Sequence, residues 1–163
     1  MSGDTPDTSN DSWEETRRAW FQEMTKLGIE RFDQAHEHLM DLILDVNRTL
    51  ATFSLEQAED EGWLALLSLA KQLEIYGRGL FASEEESMRE ENYPDLHRHK
   101  RAHLQLVGEL TRFRQRAAEA DLAYCRSSAP ALKIDLFDHI QQLDVAYVPF
   151  FRRRQRPHLG PYA

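Results

Sequence analysis

From Asp33 onward apolar residues recur at three- and four-residue steps, the period of a helix with one buried stripe. Leu39, Leu42, Ile43, Val46 and Leu50 form the first stripe, with Asn47 among them. Asp33 stands where an N-cap belongs. A longer stripe starts near Glu59 or Gly62 and runs through Trp63, Leu66, Leu67, Ala70, Leu73, Tyr76, Leu80 and Phe81 to Met88. Pro94 interrupts it and suits the first turn of a third helix, which carries Ala102, Leu106, Val107, Leu110 and Phe113. The run SSAP at 127–130 predicts the next break, and a fourth helix takes Leu132, Leu136, Phe137, Ile140, Leu143 and Tyr147 to an end near Pro149. Neither strand-like alternation nor an internal repeat is present. Four amphipathic helices, most joined by short loops, bury their stripes together as an all-α, antiparallel four-helix bundle. Gly77 and Gly79 fall inside helix two, where each costs about 1 kcal/mol against alanine, and predict either a close helix contact or a bend.

Ahead of the bundle, Trp13, Trp20, Phe21, Met24, Leu27 and Ile29 around Gly28 predict an arm packed along the body, not a main helix. The polar, acidic residues 1–11 read as a disordered tail, 12–151 as the bundle with its arm, and 152–163 as a basic tail containing RRRQR. Arginines there suit a helix C-terminus, and no glycine-rich phosphate cradle accompanies them.

Polar residues sit on the apolar stripes. His36 lies three before Leu39, and Glu84 lies four after Leu80 and four before Met88. His99 and His103 are an i,i+4 pair on one face of helix three. His139 and Asp144 are five apart on helix four, about 140° around an α-helix, so they meet one centre only if their side chains lean together. Each helix thus offers the interior a metal-ligating group, which is how a bundle builds a dinuclear site. Imidazole with carboxylate suits iron, manganese or zinc, and Glu84 and Asp144 can bridge two ions.

Composition narrows the setting. The chain of 163 residues carries 20 Lys and Arg against 28 Asp and Glu, a formal charge of −8, which argues against a dedicated nucleic-acid or anionic-membrane binder. Cys125 is the single cysteine, so a disulfide within the chain and a cysteine-rich metal site are excluded. The sequence has neither a signal-peptide pattern at MSGDTPDTSN nor an apolar run of membrane-spanning length, and the expected location is cytoplasmic.

Four blocks carry a family likeness: LGIERFDQAHEHL at 27–39, YGRGLFASEEESM at 76–88, YPDLHRHKRAH at 93–103 and HIQQLDVAY at 139–147. In order and spacing the chain resembles the hemerythrin family of non-haem di-iron proteins. The resemblance implies that His99, His103 and His139 bind one iron and His36 the other. It implies that Glu84 and Asp144 bridge them beside an oxo or hydroxo group, and that dioxygen is the ligand. By the same likeness Leu80, Phe81, Leu136, Phe137, Ile140 and Tyr147 are expected to line the oxygen pocket near the second iron. Glu85, Asp33 and Gln34 are expected to orient the imidazoles.

One position departs from the family pattern: Leu80 stands where the family has a histidine just before Phe81. The second iron then lacks one imidazole. Water, Tyr76, Glu85, Glu37 or His38 stands in for it, or that metal is lost. The expected function is dioxygen binding as a carrier, store or sensor. The alternative is a di-iron oxidoreductase that activates dioxygen or peroxide at the more open iron, and manganese or zinc in one site is compatible with the donors. With no second domain in the sequence, signalling needs a separate partner protein, and a homodimer is equally compatible.

Overall fold

The computed structural model describes residues 8–53 and 60–154. The expectations for the two tails fall mostly outside these residues, apart from helical backbone at Thr8–Asp11 and through Arg154. No strand occurs among the described residues. The helices are α1 (Thr8–Glu23), α2 (Glu30–Thr52), α3 (Asp60–Glu90), α4 (Leu96–Ala118) and α5 (Leu122–His139). A π-helical turn (Ile140–Asp144) continues α5 into α6 (Val145–Arg154). Helix α2 packs on α3, α3 on α4 and α4 on α5, and α5 closes the ring against α2. The result is the expected four-helix bundle.

The arm expected to pack along the body is itself a helix of 16 residues. Helix α1 lies outside the ring and is tied to it by polar and aromatic contacts. Arg17 donates from Nε and Nη2 to the two carboxylate oxygens of Asp41 at 2.6 and 2.8 Å. Trp20 meets Phe137 edge-on and lies under the Lys133 ammonium, while the Arg48 guanidinium covers Trp13. The chain then turns at Gly28, whose φ of 72° is the left-handed conformation that favours glycine.

Helix α2 starts at Glu30, one turn-length earlier than the apolar stripe. Asp33 is not its N-cap. Its carboxylate reaches back to accept from the Leu27 and Gly28 amides at 2.7 and 2.9 Å, closing the loop against the first turn. At the other end of the site, α3 stops in a Schellman turn. Asn92 adopts φ 54°, its amide bonds to the Arg89 carbonyl, and the Tyr93 amide bonds to the Met88 carbonyl at 2.9 Å.

The break expected at 127–130 lies instead at Glu119–Asp121. Ala120 (φ 56°) takes the left-handed position, and the Asp121 amide bonds to the Arg116 carbonyl in a second Schellman turn. Asp121 then caps α5 by accepting from the Tyr124 amide at 3.0 Å. Ser127 and Ser128 do not break the helix: both hydroxyls donate to the Tyr124 carbonyl. Pro130 lies inside α5 and Pro149 inside α6, where burial of Leu132, Leu136 and Tyr147 outweighs one missing N–H at each proline. Of the two glycines near the middle of α3, Gly77 makes a close contact, since a Cβ there would stand 2.9 Å from Leu110 Cδ1. A Cβ on Gly79 would meet only open space.

Candidate metal centre

The six expected ligands come together. His36 on α2, Glu84 on α3, His99 and His103 on α4, His139 at the end of α5 and Asp144 in the π-turn are all at most 6% exposed. One ligand atom each from Glu84, His99, His103, His139 and Asp144 lies within 4.8 Å of the others. His99 Nε2 is 3.0 Å and His139 Nε2 3.3 Å from Asp144 Oδ1, and His103 Nε2 is 3.1 Å from Glu84 Oε2. His36 flanks this cluster from the opposite side, with Nε2 2.8 Å from Glu84 Oε1 and 3.2 Å from Asp144 Oδ2.

The π-turn resolves the spacing of His139 and Asp144. Residues five apart diverge on an α-helix, but i→i+5 bonding widens the turn and brings them toward one face. The turn is also anchored from outside: the Gln141 amide group donates to the Glu23 carbonyl and its oxygen accepts from the Thr25 amide.

The donor set fits a cation. Glu84 Oε2, the Nε2 atoms of His99, His103 and His139, and both oxygens of Asp144 are buried and, though close to one another, make no well-formed hydrogen bond. So many orphaned acceptor and ring atoms facing one another are costly unless something positive lies among them. The electrostatics agree. Burial by itself would push the Asp144 carboxyl up, yet the imidazoles of His139, His36 and His99 hold it well below the usual carboxylate range. Burial would lower His36, but Asp144 and Glu84 raise it to about 10. A cluster balanced by a proton on His36 has equally a place for a metal ion.

The surrounding residues divide by role. Glu85 Oε1 lies 3.0 Å from His103 Nδ1, so it orients that ring and is not a spare ligand. Asp33 and Gln34, grouped with it in the sequence reading, are elsewhere: Asp33 closes the loop and Gln34 bonds Glu30. Phe81 stacks flat on His103 with centroids 4.3 Å apart, on the three-histidine side rather than beside His36. Phe137 turns to Trp20 of α1. Leu136 and Ile140 are fully buried. The Tyr147 hydroxyl is engaged with Ser87 Oγ at 2.9 Å, and Arg31 Nη2 donates to the same Ser87 oxygen. Sequence reasoning missed Ser87, whose only signal was its place three residues after Glu84.

Leu80 is buried at the edge of a groove between α2 and α3, which Tyr76 also lines. Tyr76 meets the His38 ring edge-on at 4.4 Å. Cys125 is fully buried near the start of α5, and burial pushes its thiol up to about 11. Among the described residues no helix is long and apolar enough to cross a membrane.

Comparison with curated proteins and with solved structures gives no match. The family model of the hemerythrin HHE cation binding domain matches residues 27–151, from the loop before α2 to Phe151 in α6. The matched stretch contains all four helices of the ring and every residue of the buried cluster. The chain therefore belongs to the hemerythrin HHE cation-binding family, and its bundle and histidine–carboxylate cluster are those of a non-haem di-iron, oxygen-binding protein.

Proposed function

We propose that the cluster holds two iron ions and that dioxygen binds on the side of His36. His99, His103 and His139 would hold one iron and His36 the other. Glu84 and Asp144 would bridge them, with a solvent-derived oxo or hydroxo group as third bridge. The observation that carries this reading is six buried nitrogen and oxygen atoms that converge without a well-formed hydrogen bond among them, with His36 completing a second side. The same donors accept manganese or zinc.

Iron supplies the electrons that dioxygen accepts on binding. The chain supplies the rest. Glu85 and the flat Phe81 ring fix His103, and the π-turn fixes His139 against Asp144. Leu136 and Ile140, both fully buried, would help keep water from the centre. With its hydroxyl bonded to Ser87, Tyr147 is a wall rather than a proton donor. Leu80 replaces a neutral nitrogen donor with an apolar side chain, which leaves the His36 side less saturated than the three-histidine side.

A second reading, oxidation of a small molecule on that side, is favoured by the groove that Leu80 borders. Two measurements separate the readings. Anomalous scattering at the iron edge of protein crystals is expected to show two ions, the one at His99, His103 and His139 better occupied. Higher occupancy beside His36 would overturn the assignment. Dioxygen added to the reduced protein is expected to change the visible spectrum, and degassing to reverse the change. Irreversible oxidation that Leu80→His converts to reversible binding would support the second reading over the first.

A further inference from the structure

The groove between α2 and α3 has features that a bundle core does not need. Its volume is about 330 Å³, within the roughly 300–1,000 Å³ range of small-molecule pockets. Phe32, Ala35, Ile75, Leu80 and the Gly79 backbone give it an apolar wall. Phe32 is one turn before His36 on α2 and Leu80 is one turn before Glu84 on α3, and none of the six cluster residues lines the groove. Gly79 enlarges it, since even a Cβ there would touch nothing. Ile75, at the rim, is 72% exposed, an apolar side chain left in water beside an apolar hollow.

Arg31 completes the lining and gives it a single sign of charge. The guanidinium rests on the rings of Phe32 and Phe151, 4.6 and 5.8 Å from their centroids, and Nη2 donates to Ser87 Oγ at 3.1 Å. That packing holds the fork in place and leaves further N–H donors for a ligand. The groove between α4 and the end of α5 is different: Arg98 faces it together with Asp135 and Asp138, so its lining is net negative and does not favour an anion, and it reaches His139 of the cluster.

From this we infer that the α2–α3 groove binds a small apolar carboxylate, its carboxylate on Arg31 and its alkyl chain running over Gly79 to Leu80. The inference goes beyond dioxygen binding and holds whichever metal the histidines take.

Octanoate is the probe, with acetate and octanol as controls, titrated calorimetrically into the purified protein with and without bound iron. Saturable octanoate binding in both forms is expected, with octanol at least tenfold weaker and acetate undetectable. Gly79→Leu fills the groove from a position with room for the side chain and improves helix propensity, so it should fold and lose octanoate at least tenfold. Arg31→Gln should bring octanoate down to the affinity of octanol. Unchanged octanoate affinity in Gly79→Leu, or absence of saturable binding in the wild type, overturns the groove as the site. Acetate binding as tightly as octanoate, and only with iron present, would place the carboxylate on the metal and overturn the inference while leaving the di-iron reading intact.

Discussion

Replacing Glu85 tests whether the cluster is organised around ligand nitrogens. Glu85 Oε1 stands 3.0 Å from His103 Nδ1, and Lys100 Nζ lies 3.5 Å from its other oxygen. A neutral His103 that donates its Nδ1 proton to Glu85 keeps the Nε2 lone pair toward Glu84 and the centre. Without that acceptor the ring can take the other tautomer, and its rotation is restrained only by Phe81, Glu84 and the neighbouring imidazoles of His99 and His139. Partners of this kind are worth about 10–100-fold in metal affinity, or about 1.4–2.7 kcal/mol. The same contact in the metal-free chain is a partly exposed hydrogen bond worth about 0.5–1.5 kcal/mol to folding. Glu85→Ala should therefore weaken metal binding by one to two orders of magnitude and lower metal-free stability only modestly. Glu85→Gln keeps an acceptor and should fall between. Competition against a calibrated chelator reads the affinity, and urea denaturation of the metal-free proteins reads the fold. Affinity of Glu85→Ala within about twofold of wild type would refute the orienting role, given the usual size of such effects.

Two further outcomes are expected from groups outside the centre. Glu74 joins α3 to α4 by accepting from Arg78, Thr111 and Arg114. Burial would raise its carboxyl, but these three donors hold it below the ordinary value of 4.5. A depressed carboxylate gives stability that is present above its unfolded pKa and lost as pH falls through its folded one. Glu74→Gln should thus cost about 1.5 kcal/mol at neutral pH by urea denaturation, and the gap to wild type should close as the pH drops below about 4.5. Gly77 and Gly79 of α3 should respond in opposite directions. Gly79→Ala enters open space and should add about 0.5–1 kcal/mol, whereas Gly77→Val collides with the buried Leu110 and should lower the melting temperature. Equal shifts for the two would contradict the packing of α3 against α4.

The stripes of Leu, Ile and Val set the four helices, because an amphipathic helix has one way to hide its apolar face and four of them hide it together. The ligand types were equally legible, since polar residues at His36, Glu84, His99, His103, His139 and Asp144 interrupt those stripes on the buried side. Helix ends were less so. The α4–α5 turn is built on Ala120 in a left-handed conformation that glycine usually signals, and Pro130 and Pro149 lie within helices that packing holds together. Periodicity counts residues at a fixed 3.6 per turn and is blind to the π-turn that aims His139 and Asp144 at one centre. What each polar side chain meets was decided only across helices. Asp33 and Glu85 are both acidic neighbours of ligands in sequence, yet one closes a loop and the other reaches His103 on a different helix. The groove over Leu80 likewise exists only between α2 and α3, because empty space is a property of two surfaces and is written in neither sequence alone.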